Sequence, residues 1–117
     1  MICAMTARRI MSGRTDDFLE AFKGNASEMP AEIRERFTAV MACRQVDNPD
    51  VILTFGIFDG TLEEMRELQG QPIRAEQLNR IEPFVEEKLF DGSFEVLHDF
   101  IAEAAGSQAG SFAGTKH

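Results

Sequence analysis

The chain of 117 residues contains no tryptophan and no tyrosine. Chemistry that needs an indole donor or a phenol acid is excluded, and the ten phenylalanines supply apolar bulk without a polar handle. Cysteine is scarce as well. Cys3 and Cys43 are too few for a disulfide scaffold and form no CxxC pair, which fits a reducing compartment. No apolar run approaches the roughly 20 residues that span a bilayer. In the opening "MICAMTARRI" the arginines follow the apolar stretch, the reverse of a secretory signal, so a cytoplasmic chain is expected. Basic residues number 12 against 20 acidic ones, and the net charge of −8 repels phosphate backbones and anionic lipid surfaces. No nucleic-acid partner and no membrane partner is expected. Histidine is limited to His98 and His117, and no His/Cys/Asp spacing resembles a ligand set. Neither phosphate-loop pattern, GxGxxG or GxxxxGK(S/T), occurs. The expectation is no metal and no cofactor.

What is present is punctuated by a repeated tripeptide. Phe58-Asp59-Gly60 recurs as Phe90-Asp91-Gly92. The first copy follows "VILTFGIF", residues 51–58, a β-branched and aromatic run that reads as a strand. It precedes Thr61 and Glu64, an S/T-x-x-E capping box that opens a helix with Leu62, Met65 and Leu68 on one face. The second copy reads as the stop of a helix over "AEQLNRIEPFVEEKLF", with Pro83 as its kink or boundary. A strand "SFEVLHDFI" follows, with Phe94, Val96, His98 and Phe100 on one face. The flanks of the two copies are inverted, so both read as turns rather than as a duplicated functional loop.

The rest of the chain fills in around these marks. Residues 2–10 read as a strand. "SGRTDDFLEAFKGN" reads as a helix capped by Thr15 and stopped by Gly24-Asn25. Pro30 opens a short helix or turn, and residues 37–46 form a strand joined to 51–58 through the turn "DNPD". Residues 1–103 read as one domain, and 104–117, small-residue-rich around Phe112, as a disordered tail. The order β-α-(turn)-β-β-α-α-β, with its central hairpin, is the split βαβ or ferredoxin-like arrangement. This α+β fold has an antiparallel four-stranded sheet with helices on one face, the third strand between the first and second, and the last strand beside the first. Strand 51–58 is apolar on both sides, and helices cover only one. A second copy packed sheet on sheet is the expected cover, making a homodimer.

The segments "MTARRI", "SGRTDDFLEAF", "DNPDVILTFGIFDGTLEEM" and "FVEEKLFDGSFEV" resemble the antibiotic-biosynthesis-monooxygenase-like family of the dimeric α+β barrel superfamily. The resemblance covers most of residues 1–101. It implies two ferredoxin-like sheets paired in a barrel-like dimer, with a small cavity between the sheet and helices of each subunit. It also implies a small hydrophobic ligand and cofactor-independent monooxygenase chemistry on polyketide-like substrates, while other members are haem degraders or isomerases. The quinone-forming members use Asn, Trp and Tyr near the cavity. This chain has neither Trp nor Tyr, and no Asn in residues 2–10.

Five residues are candidates for a site. His98 would be a general base, since imidazole titrates near neutral pH, and Phe94 shares its face. Arg8 and Arg9 leave the first strand on opposite sides, Arg44 lies near the end of the second, and one of these three would hold a carboxylate or enolate oxygen. Thr54 interrupts an apolar strand and Gly56 removes a side chain beside it, which would open a cavity floor. Each has a plainer reading: a satisfied structural histidine, surface ion pairs, a bulge. The paired carboxylates of "LEEMRE" and "EPFVEEK" read as solvated helix faces. The residues leave catalysis open. The alternatives to oxygenation are a proton-transfer isomerase and a non-catalytic ligand-binding or stress-related accessory protein.

Overall fold

The computed structural model describes residues 1–105. The elements run β1 (Ile2–Ile10), α1 (Thr15–Ser27), α2 (Ala31–Arg34), β2 (Phe37–Gln45), β3 (Asn48–Phe58), α3 (Leu62–Gln69), α4 (Pro72–Ile81), a 3-10 turn (Glu82–Phe84) and β4 (Val85–Glu95). A further helical segment covers residues 100–105. The strands form one antiparallel sheet in the order β2-β3-β1-β4, the ferredoxin-like α+β arrangement expected from the sequence. β3 separates β1 from β2, so Cys3 and Cys43 lie on non-adjacent strands, and both are free thiols.

Register assigns the two faces, because side chains alternate along each strand. Ile2 lies opposite Phe58, Thr6 opposite Thr54 and Arg8 opposite Ile52. One face therefore carries Ile2, Thr6, Arg8 and Ile10 with Ile52, Thr54 and Phe58. Phe18 of α1 and Ile81 of α4 bury themselves there against Ile10 and Ile52. Met65 of α3 does so against Ile2 and Phe58. All three helices lie on this side. The other face presents Met5, Met41, Leu53, Phe55, Phe90 and Phe94 without a helix over them. Met41 is 52% exposed there, and Phe90 and Phe94 are each 46% exposed.

Local signals explain most of the boundaries. In α3 the capping box forms as read: the Glu64 amide donates to Thr61 Oγ1 at 3.1 Å, and the Thr61 amide donates to Glu64 Oε1 at 2.9 Å. Pro72 occupies the first turn of α4, where its missing N–H costs nothing. The hairpin turn is shorter than expected, only Val46 and Asp47, and Asn48, Pro49 and Asp50 begin β3. Pro49 is tolerated because β1 pairs with β3 no further than Val51.

Two boundaries overturn the sequence reading. Helix α1 has no side-chain cap at its start and runs through Gly24-Asn25 to Ser27. Asn25 is buried, and its Nδ2 donates to the Gln77 carbonyl of α4 at 2.8 Å, so tertiary bonding overrides the local stop signal. The last strand is likewise shifted. The 3-10 turn containing Pro83 ends the helix, and β4 already begins at Val85. Asp91 and Gly92 are strand residues opposite Thr6 and Met5 rather than a turn. Gly92 lets the Phe90 and Phe94 rings stack over it at 5.8 Å, and an added Cβ would meet each ring at 3.3 Å. β4 stops at Glu95, so His98 and Phe100 are not on a strand face. Of the tail, residues 104 and 105 are helical, while 106–117, with Phe112 and His117, lie outside the described residues.

Register also slips in the outer ladders. Between β1 and β4 it shifts at Ala7/Arg8, leaving Leu89 without a partner, and again at Arg9/Ile10. Between β2 and β3 it shifts at Phe37/Ala39 and at Arg44/Gln45.

Candidate functional site

The covered face is apolar at its two ends and polar in the middle. Its two hydrophobic clusters, around Ile10 and around Ile2, are separated along β1 by Thr6 and Arg8. Arg8 is only 6% exposed, and so is Thr54 on the neighbouring strand. Arg8 Nη1 donates to Thr54 Oγ1 at 3.0 Å. The Thr54 hydroxyl in turn donates to the Thr6 carbonyl at 3.4 Å. Thr6 Oγ1 donates to Asp91 Oδ1 at 3.2 Å, and Lys88 Nζ reaches Asp91 Oδ2 at 3.2 Å. From the helix layer, the Phe18 ring lies 5.8 Å from the Arg8 guanidinium carbon. Arg74, in the first turn of α4, is half-buried above the same region.

The electrostatics follow from burial. Desolvation lowers the pKa of Arg8, the like charge of Arg74 lowers it further, and Asp91 opposes both. Desolvation also lowers the pKa of Arg74, and Asp91 again opposes it. Arginine nevertheless stays charged at neutral pH. Among the described residues, Thr54 is the only hydrogen-bond partner of the Arg8 guanidinium, and the Arg74 guanidinium has none. A guanidinium presents five donors. Arg8 is therefore a buried cation with guanidinium N–H groups left over among the described residues.

The residues proposed from sequence fall in different places. Thr54 belongs to this cluster. Arg9 points to the open face and pairs with Glu87. Arg44 is exposed on the edge strand β2 and helps line a shallow depression of about 330 Å³ with Ala7, Cys43 and Leu53. Phe94 lines a cleft of about 380 Å³ at the end of the sheet, beside Ile2, Thr61 and Leu62. His98 follows β4, pairs with Glu103 and holds its ring 4.5 Å from Phe100, lining neither hollow. The structure does not bring His98 together with Arg9, Arg44 or Thr54.

Sequence reasoning missed Arg74 and Asp91. Asp91 was hidden by its Asp-Gly context, which reads as a turn. The signal for Arg8 was there: it alternates with Ile2 and Ile10 on one side of β1. Among the described residues no group of three or more His, Cys, Asp or Glu side chains suits a metal ion. No described helix is long and apolar enough to cross a membrane.

No family model and no curated protein matches the chain. Solved structures do. A protein from Caulobacter crescentus, named as a candidate antibiotic biosynthesis monooxygenase, superposes with a TM-score of 0.70 at 9% identity, over 83% of this chain and 90% of its own. One of the same name from Nitrosomonas europaea gives 0.67 at 14% identity, over 84% and 100%. An uncharacterised NIPSNAP domain protein from Burkholderia xenovorans gives 0.58 at 17% identity, over 82% and 94%. Identities this low establish the fold and leave the chemistry to the site. The chain thus has the fold of the antibiotic-biosynthesis-monooxygenase-like proteins that its sequence resembles.

Proposed function

We propose that this protein is a homodimer that binds a small, largely hydrophobic molecule through an acceptor oxygen, in the layer between sheet and helices. The observation that carries this reading is Arg8: a residue 6% exposed whose guanidinium has one hydrogen-bond partner among the described residues. A buried charge is stable only when paired and hydrogen-bonded, so a ligand oxygen is its natural complement. The uncovered apolar face supports the homodimer, because a patch of this kind on a soluble protein calls for a partner. Binding without catalysis is favoured over turnover. Asp91 already accepts hydrogen bonds from Thr6 and Lys88, and His98 is engaged by Glu103, so neither side chain is held ready for a substrate.

Thermal-shift screening with small aromatic acids, phenols and ketones tests the reading. Ligands that stabilise wild type and lose their effect in Arg8→Lys support it, and a screen without any shift in wild type removes it. Cofactor-free oxygenation is the second reading, favoured by the names of the structural neighbours. Oxygen consumption with an anthrone substrate, comparing wild type with His98→Ala, decides it. No consumption by wild type ends the oxygenase reading, and equal rates in both proteins take His98 out of the chemistry.

A further inference from the structure

Beyond β4 the described chain continues as an arm. The Val96 amide donates to the Met1 carbonyl at 2.9 Å, and residues 100–105 turn into a helix. Asp99 caps that helix, its Oδ1 accepting from the Ala102 amide at 2.9 Å, and His98 pairs with Glu103 beside it. The segment is well short of the roughly 12–15 residues at which isolated helices become marginal in water, so it calls for a surface to lie on. Its large side chains are instead left in solvent: Leu97 is 85% exposed, Phe100 75% and Ile101 74%. Three such side chains within five residues form a patch, which a scatter of single exposed hydrophobics does not.

The depression of about 330 Å³ has the complementary character. Ala7, Cys43, Val51 and Leu53 give it apolar walls, and Arg44, which also lines it, has no carboxylate partner among the described residues. The arm brings two carboxylates, Asp99 and Glu103. The two features lie at opposite corners of the sheet. The arm leaves β4, one edge strand, beside the Ile2–Glu95 pair. The depression surrounds Leu53, opposite Ala7 and Cys43, towards the β2–β3 hairpin and the other edge. Along β1, Ile2 and Ala7 are separated by about 17 Å at roughly 3.3 Å per residue. No arm residue lines the depression of its own chain. A two-fold axis between two facing sheets, running along the other diagonal, carries each of these corners onto its opposite, with the strands of the two sheets crossing. Resting on the homodimer reading above, we infer that the arm docks in the depression of a second copy of this chain. Leu97, Phe100 and Ile101 meet its apolar walls, and the acidic arm lies beside Arg44. The exchange is reciprocal, so two copies satisfy each other and no arm is left over.

Cross-linking of the full chain tests this. In a Cys3→Ser background, Ala102→Cys adds an exposed thiol on the arm to the native Cys43 of the depression. A short bis-maleimide should then join two chains, and the product should be lost when Ala102→Cys is omitted or Cys43→Ser is added. Ala31→Cys, on α2 away from the arm, should not replace Ala102→Cys. A cross-link confined within single chains, or an equal two-chain product from Ala31→Cys, overturns the exchange. Sedimentation supplies the second measurement. Leu97→Ser, Phe100→Ser and Ile101→Ser combined, all at exposed positions, should raise the dissociation constant of the dimer about tenfold or more. An unchanged constant overturns the arm while leaving the homodimer in place. A wild type of single-chain mass at micromolar concentration overturns both this inference and the homodimer reading on which it rests.

Discussion

The two faces of the sheet are made by the same four strands, yet the covered face is the more polar of the two. Beneath the helices, Thr6, Arg8, Thr54 and Asp91 interrupt the core and split it into two clusters. On the open side, Met5, Met41, Phe55, Phe90 and Phe94 form an apolar stretch without a lid, with the Arg9–Glu87 pair towards one end of the sheet. A sheet that only had to fold would place these the other way round. The difference separates two tasks. The open face is left apolar and uncovered, and the middle of the covered face holds hydrogen-bonded and charged groups.

Breaking the open face should have the largest effect. Phe55 sits mid-β3, between Met5 and Met41. Phe55→Glu would place an unpaired carboxylate in any sheet-on-sheet contact, at a cost of several kcal/mol. Wild type should sediment as two chains and the variant as one; a wild type of single-chain mass at micromolar concentration would break the contrast drawn here. The next effect belongs to the covered face. Phe18 is fully buried, and Phe18→Ala should lower unfolding stability by about 3–5 kcal/mol in urea titration. A loss below about 1 kcal/mol, the scale of a surface change, would mean that α1 packs otherwise.

Smaller changes sharpen the picture. Thr54→Val keeps the shape but removes the acceptor of the Arg8 bond, and should cost about 1–3 kcal/mol, with Thr54→Ser close to wild type. The smallest effect concerns the rim of the covered layer. Glu64, exposed, has its carboxyl held down to about 2, first by Arg36 and then by the Thr61 amide. The folded value lies below the unfolded carboxylate's roughly 4.3, so the unfolded state binds the extra proton. The stabilisation is present above the unfolded value and is lost as pH falls toward 2. Glu64→Gln should therefore flatten the acid-side fall of the urea midpoint, and identical slopes would remove Glu64 from the acid response.

The sequence carried the fold wherever a local signal and the tertiary structure agreed. β3, the capping box of α3 and the strand order were legible because β-branched runs, Thr61/Glu64 and the central hairpin are short-range marks. β4 was not, because Lys88, Asp91 and Gly92 have little strand preference and are strand only through pairing with β1. α1 ran past Gly24 for a similar reason, since the bonds from Asn25 to Gln77 and Arg80 come from a distant helix. The site was legible in part. Thr54 stood out as a polar break in β3, and Arg8 alternates with isoleucines. Their meeting with Arg74 and Asp91 depends on how α4 lies over the sheet, which no local pattern encodes.

The slips of register along both outer ladders set a limit on how this protein can assemble. A flat, regular edge is a template to which further strands add without end. Here β4 leaves Leu89 unpaired and β2 breaks step near each of its ends. Such edges are poor templates, so growth sideways into open-ended stacks is discouraged. What remains is the flat of the sheet, and an association that uses the flat is finished once one partner has arrived.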